Sequence, residues 1–154
     1  MSEKTWTVYL SGEIHSDWRD RIAQGVEAAG LPVRLSAPVT VHADSDDCAP
    51  AIFGPQDNAF WHDHSSAKLN AIRTGTLIAA ADVVVVRFGE KYKQWNAAFD
   101  AGYAAALGKP IITLHDPSLT HALKEVDAVA LAVAEQPEQV VRILDYAISG
   151  ELRS

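Results

Sequence analysis

Residues 82–86 read DVVVV, and this short run decides the fold class. Four consecutive β-branched valines, with no polar residue alternating between them, predict a strand that is buried on both faces. Strands of that kind occur in parallel sheets, where the crossover connections are helices that cover the sheet. The run therefore predicts an α/β protein.

The segments on either side of this run alternate between strands and helices. Residues 5–11 (TWTVYLS) predict the first strand, and a helix is expected from Asp17 to about Ala29, with Ser16 as its N-cap and Gly30 as its end. Residues 38–65 show no clear period and predict no regular structure. Further strands are expected at residues 33–37, 111–114 and 128–131, and further helices at residues 66–81, 93–107, 118–126 and 137–148.

Five such alternations favour a doubly wound sheet, because each crossover is right-handed and returns its helix to a face of the sheet. We expect a flavodoxin-like three-layer sandwich whose five-stranded parallel sheet has the order 2-1-3-4-5. A chain of 154 residues suits one domain, here residues 1–154. Ligands of such sheets bind at the strands' carboxyl ends, where the winding reverses between strands one and three.

Composition excludes several classes of protein. A net charge of −7, with no cluster of Lys or Arg, argues against DNA or RNA as a polymeric partner. No run is long and apolar enough for a membrane span, and residues 1–10 lack the features of a signal peptide, so we expect a cytoplasmic protein without membrane contact. With Cys48 as its one cysteine, the chain cannot form an internal disulfide. His62 and His64 flank Asp63 and suggest a metal, but such patterns are common without one, and we expect none.

Asp100 is the most informative single residue. It is the one charged side chain between Lys93 and Lys109, in a helix otherwise rich in Ala and aromatic residues. Helical spacing places Asn96, Asp100 and Tyr103 on one stripe. Two interpretations are open: the carboxylate marks the solvent-facing side of the helix, or it belongs to a site, where it acts as a nucleophile or stabilises positive charge.

The turn after the first strand is a second candidate for a site. Gly12, Glu13, Ile14 and His15 lie between the strand and the following helix, whose start attracts anions. Because the turn contains neither GxGxxG nor GxxxxGK, an ordinary strand-to-helix turn is the alternative.

Two motifs together resemble a known family. Residues 97–112, AAFDAGYAAALGKPII, resemble the AFE-x-GYA-x-A-x-GKP-x-I signature of nucleoside 2-deoxyribosyltransferases, and residues 9–14, YLSGEI, resemble their Y-x-x-G opening. The similarity covers residues 5–114 and is greatest to the YtoQ branch. It implies a homo-oligomer that needs no cofactor and cleaves the N-glycosidic bond of a nucleoside or nucleotide. In that chemistry Asp100 attacks the sugar, and Tyr9 orients Asp100 through a hydrogen bond.

Several positions depart from the family pattern. The family nucleophile is Glu, and Asp is shorter by about 1.5 Å of reach. The family's second acid is replaced by Gln94. In related deoxynucleotide N-hydrolases the residue at that position contacts a 5′-phosphate, which makes Gln94, Gly12, Ile14 and His15 candidates for that role, whereas the charge of Glu13 opposes it. Asn96 is a candidate sugar contact.

The remaining candidate contacts and the class of activity stay open. Trp61, with Phe53 and Phe60, could stack on a base or could cover the core beneath the long segment. A transferase, an N-hydrolase and a catalytically silent nucleotide-binding or regulatory module are all compatible with these residues.

Overall fold

The computed structural model describes residues 3–154 and contains one sheet of five parallel strands, in the order β2-β1-β3-β4-β5. This is the predicted order, so the doubly wound α/β fold is confirmed. The register places Val8 beside Val83 and Val84 beside Ile111, which puts β3 at the centre, between β1 and β4. The strands are β1 (Trp6–Gly12), β2 (Val33–Ser36), β3 (Val83–Phe88), β4 (Ile111–His115) and β5 (Ala132–Ala134).

The helices cover both faces of the sheet. Two pack on one face, α1 (Trp18–Ala28) and α6 (Pro137–Ser149). The other face carries α3 (Ala59–Ala80), α4 (Trp95–Ala106) and the short α5 (Lys124–Ala128), which follows a 3₁₀ turn at Pro117–Leu119. One further helix, α2 (His42–Phe53), packs on α3. Within residues 3–154 no helix has both the length and the apolar character to cross a membrane.

The four valines of β3 serve both cores, as the sequence predicts. Val83 and Val85 pack in the core beneath α1 and α6, and Val84 and Val86 pack in the core beneath α3 and α4. None is more than 6% exposed. Since burying one such side chain stabilises the fold by about 1.5 to 3 kcal/mol, this strand contributes to both faces at once.

The prediction of no regular structure for residues 38–65 is wrong, because α2 and the start of α3 lie there. Helix α2 buries only Ala49 and contains Pro50, so it has no apolar stripe that a period would reveal. The two helices stabilise each other by packing, and Ala49 N donates a hydrogen bond to Ser66 Oγ at 3.2 Å. Asn58 caps α3 by accepting from Trp61 N at 3.1 Å.

The predicted helix at 118–126 overlaps α5 only at residues 124–126, and the predicted strand at 128–131 ends directly before β5. Asp127 accepts hydrogen bonds from Thr113 Oγ1 at 2.9 Å and from His115 Nε2, 2.8 Å away, which holds α5 against β4. The chain then joins the sheet through Leu131 N, which donates to Ile111 O at 2.8 Å. Because Asp127 is held against β4, β5 begins only at Ala132.

Candidate active site

A cleft of about 1010 Å³ opens at the carboxyl ends of β1 and β3, where the winding of the sheet reverses. Its walls come from the β1–α1 loop, α2, α3, the β3–α4 loop and the first turns of α4. Two predicted site residues, Tyr9 and Trp61, do not line it. The predicted residues that the structure brings together around the cleft are Gly12, Glu13, Ile14, His15, Gln94, Asn96 and Asp100.

Asp100 lies in the second turn of α4 and faces the cleft. Its Oδ2 accepts a hydrogen bond from Ser11 Oγ at 2.7 Å. Burial raises the pKa of Asp100 above the ordinary value, and the hydrogen bond from Ser11 opposes that rise by stabilising the charged form. The result is a poorly solvated carboxylate with one oxygen held by β1.

Tyr9 is fully buried beneath this carboxylate, in the core with Ala97 and Ala101 of α4. Its hydroxyl has no hydrogen-bond partner within residues 3–154, so the predicted hydrogen bond to Asp100 is not present. Alternation along β1 puts Tyr9 and Ser11 on the same face, and Ser11 is nearer the carboxyl end. The short Asp side chain therefore meets Ser11. Burial and, to a smaller extent, the charge of Asp100 raise the pKa of Tyr9, which keeps its phenol protonated.

The β1–α1 loop turns sharply at Gly12. Its φ of +112° is rare for residues with a side chain, and an added Cβ would lie 2.1 Å from Arg87 O. The turn brings His15 to the rim of the cleft, where its ring centre lies 4.9 Å from that of Tyr92. The close approach of the two backbones thus makes Gly12 a structural requirement of the loop.

Glu13 folds back onto its own loop. Its carboxylate accepts hydrogen bonds from His15 N and, at 2.5 Å, from Ser16 Oγ. Because Glu13 engages the Ser16 hydroxyl, Ser16 does not cap α1; the predicted N-cap is wrong, and the helix begins at Trp18. Two donors of the loop, His15 N and Ser16 Oγ, are therefore occupied by a side chain of the same loop.

Arg19 is a structural residue of the site that was not predicted from the sequence. Its guanidinium donates to the carbonyls of Leu10, Gly12 and Glu13 at 2.7 to 3.1 Å and lies 4.4 Å from the ring of Trp18. Burial lowers the pKa of Arg19 to about 10. The signal for this role was an arginine in the first turn of α1, where it can reach the carbonyls at the end of β1.

The start of α4 supplies two further predicted residues. Gln94 Oε1 accepts from Gly89 N at 2.8 Å, which closes the β3–α4 loop beside the cleft. Asn96 also lines the cleft, one helical turn before Asp100. Tyr103, the third residue of the predicted stripe, lies beyond the lining.

The aromatic side chains at the cleft differ from those predicted. Trp61 lies in the first turn of α3 and is 47% exposed, in a cluster with Phe60 and His64 whose ring centres are 5.2 to 5.6 Å apart. The start of α3 at Ala59 directs that cluster away from the cleft. The aromatic side chains that line it instead are Tyr92, Trp95 and Phe99.

His62, near the start of α3, takes part in a contact between helices. His62 Nε2 lies 3.0 Å from Asp47 Oδ1 and 3.0 Å from Asp46 O, which ties α3 to α2. Among residues 3–154 no three side chains of His, Cys, Asp or Glu are grouped so as to hold a metal ion.

The sheet order and the cleft at its switch point define a doubly wound, flavodoxin-like α/β protein with a ligand site at the strands' carboxyl ends. A conserved protein from Enterococcus faecalis V583 superposes with a TM-score of 0.64 at 13% identity, over 94% of this chain and 99% of that one. A 2-deoxyribosyltransferase from Bacillus psychrosaccharolyticus superposes with a TM-score of 0.53 at 15% identity, over 88% of this chain and 90% of that one. At such identities the likeness concerns the fold.

The sequence comparison identifies the family. Residues 9–148 match the family described as Nucleoside 2-deoxyribosyltransferase YtoQ, and the chain belongs to that family. The uncharacterized protein YtoQ of Bacillus subtilis (strain 168) is 42% identical over 144 residues, which are 94% of this chain and 97% of that protein. The family predicted from the two motifs is confirmed.

Proposed function

We propose that this protein cleaves the N-glycosidic bond of a 2′-deoxynucleoside or a related nucleotide, with Asp100 as the nucleophile. The observation that carries the proposal is the Asp100 carboxylate, which is poorly solvated and faces the cleft at the switch point. Membership of the family and the fold shared with a 2-deoxyribosyltransferase support the choice of substrate. The cleft is at the upper end of the range of about 300 to 1,000 Å³ for small-molecule sites.

The proposed reaction has two steps. An oxygen of Asp100 forms a bond to the anomeric carbon while the C–N bond breaks, and the base leaves with the bonding electron pair and takes a proton from solvent water. A nitrogen of a second base, or water, then attacks the same carbon and releases the carboxylate, while its own proton passes to solvent. The carboxylate divides one difficult displacement into two easier ones.

Other residues at the cleft have roles in this proposal. Asn96 offers an amide to the sugar hydroxyls, and Tyr92 and Trp95 offer faces on which a base stacks. Ser11 positions the attacking carboxylate. Tyr9 is a neutral phenol beneath Asp100. In this proposal the bound substrate reorients the carboxylate, which then accepts a further hydrogen bond from the Tyr9 hydroxyl. In this proposal Trp61 takes no part, because it lies outside the cleft.

The activity is tested with purified protein and a panel of 2′-deoxynucleosides, their 5′-monophosphates and one free acceptor base. Products are separated by liquid chromatography. Base exchange identifies transfer, and release of base without exchange identifies hydrolysis. If neither occurs across the panel while the substrates bind, the protein is a nucleotide-binding module and the catalytic proposal fails.

Replacing Ser11 by alanine should shift the pH dependence of the reaction. The nucleophile must be ionised, and the Ser11 hydrogen bond lowers the pKa of Asp100 against the effect of burial. Without it that pKa rises, so the acid limb of kcat/KM moves to higher pH. Below the limb, the loss is about tenfold, the value of one hydrogen bond to a charged group.

The control for this shift is Ser36→Ala, which removes a buried hydroxyl that has no partner within residues 3–154 and does not line the cleft. Its acid limb should match that of the unmodified protein. An NMR titration of the Asp100 carboxyl carbon follows the same shift without substrate. An unchanged titration in Ser11→Ala would remove Ser11 from the proposed mechanism.

We also propose that the chain forms a homo-oligomer through α4. Phe99, Tyr103 and Leu107 recur every four residues and are 75%, 38% and 45% exposed, so they form one apolar stripe on that helix. Light scattering should give a multiple of the 16.6 kDa chain mass, and Leu107→Glu should reduce it to one chain. Leu152→Glu, in the segment that follows α6, is the control because that side chain is 82% exposed and lies outside α4, and it should leave the mass unchanged. A monomer mass for the unmodified protein contradicts the proposal.

A further inference from the structure

The Glu13 carboxylate is a built-in negative charge at the cleft. The residue lines the cleft and is only 7% exposed. It packs closely against Gly89, where an added Cβ would lie 2.7 Å from Glu13 Cγ. The nearest cation is the guanidinium of Arg87, whose Nε lies 3.9 Å from Glu13 Oε2.

The groups that hold Glu13 are those that hold a phosphate in other proteins. A backbone N–H before a helix and a serine hydroxyl are typical donors to phosphate oxygens. Here His15 N and Ser16 Oγ both donate to Glu13 instead. A phosphate that entered this loop would find its donors in use and would meet a negative charge.

The rest of the cleft has the same sign of charge. The lining residues include one lysine, Lys93, and four carboxylates, and the Lys93 ammonium lies 6.0 Å from the ring of Trp95. The lining therefore has an excess of carboxylates, and Glu13 is the one that the donors of the β1–α1 loop hold. The four carboxylates belong to Glu13, Asp46, Asp63 and Asp100.

We infer that Glu13 restricts the site to nucleosides with a free sugar hydroxyl and excludes nucleoside monophosphates; this inference rests on the proposed function. Ser11 touches Asp100, and Glu13 follows two residues later, beyond the turn at Gly12, so the carboxylates of Asp100 and Glu13 line the same cleft. In this inference the anomeric carbon of the sugar lies at Asp100 and its 5′ end points toward the Glu13 loop. The carboxylate accepts a hydrogen bond from a 5′-hydroxyl but repels a 5′-phosphate.

The experiment is isothermal titration of the full chain with 2′-deoxyadenosine, 2′-deoxycytidine and thymidine, and with the 5′-monophosphate of each. For the nucleosides that bind, the monophosphate should bind about 100-fold more weakly at low salt, the effect of one extra charge pair about 6 Å apart near a protein surface. Glu13→Gln keeps the size and an acceptor oxygen but removes the charge, and should reduce that ratio to less than about fivefold.

The matched control is Glu90→Gln, which removes the same charge from an exposed residue of the β3–α4 loop outside the cleft lining. Its ratio should equal that of the unmodified protein. A salt series on the unmodified protein provides a measurement that needs no variant. Added salt screens the repulsion between the phosphate and Glu13, so the ratio of the monophosphate and nucleoside dissociation constants should fall.

The outcomes separate the two proposals. If a monophosphate binds the unmodified protein as tightly as its nucleoside, or if Glu13→Gln leaves the ratio unchanged, the inference about Glu13 is overturned while the proposed function stands. If neither nucleosides nor monophosphates bind, the proposed function and the inference fall together.

Discussion

Replacing Asp100 by alanine should reduce nucleoside turnover by at least about 10⁴-fold, the scale of losing a covalent nucleophile. Among residues 3–154 no other carboxylate is hydrogen-bonded to Ser11, so none shares the position of Asp100. A 2-fluoro-arabinosyl nucleoside provides the direct measurement, because its fluorine slows release of the sugar. Intact mass spectrometry should detect the added sugar on the unmodified protein and none on Asp100→Ala.

The control for charge is Asp20→Asn, which removes an exposed carboxylate from α1 and should leave turnover unchanged. Sugar mass added equally to Asp100→Ala would show that another group is the nucleophile, and the assignment would be wrong.

Loss of activity in Asp100 variants should not come from unfolding. Burial raises the pKa of Asp100 in the native state. Below the pKa that Asp100 has in the unfolded state, the protonated group makes its full favourable contribution to stability. This contribution is lost as the pH rises through the pKa that Asp100 has in the native state. Asp100→Asn keeps an acceptor for Ser11 without the charge, and at neutral pH it should unfold at a temperature no lower than that of the unmodified protein. A clear drop in the unfolding temperature would contradict the upward shift of the Asp100 pKa.

Replacing Gly12 by alanine should destabilise the fold by about 3 to 5 kcal/mol, the sum of backbone strain and overpacking. The added Cβ would lie 2.1 Å from Arg87 O, and neither backbone can move without breaking the pairing of β1 with β3. Urea denaturation followed by circular dichroism measures the free energy of unfolding.

Gly30→Ala is the matched control for this destabilisation. Gly30 also has a positive φ, +63°, but an added Cβ there meets no atom within 4 Å. It should cost only about 1 to 2 kcal/mol, the strain of the left-handed conformation alone. Equal losses of unfolding free energy at the two positions would show that the contact between the added Cβ and Arg87 contributes nothing to the destabilisation.

Most of the fold followed from local pattern. Strand β3 presents valines on both of its faces, so the strand and the parallel sheet were predictable without any knowledge of distant contacts. Helix α2 was not, because it buries only Ala49 and depends on its packing against α3. Likewise, β5 begins where the contacts of Asp127 with β4 allow it to begin.

The candidate site divides along the same line. Sequence alone identified the family, placed Asp100 alone in an apolar helix and placed Gly12 at the turn of the first strand. Spacing along a helix or a strand is a local property, and it is enough to find such residues. It does not reveal that Ser11 donates to Asp100 or that Arg19 holds the loop.

What the tertiary structure decided was how side chains far apart in the chain meet. The separation in sequence between Ser11 and Asp100 is 89 residues, and their contact depends on how β1 and α4 pack. The same packing turned Trp61 toward solvent and brought Tyr92, Trp95 and Phe99 to the cleft. A chain's local preferences specify which elements form, whereas the contacts of a cleft arise only after those elements have packed.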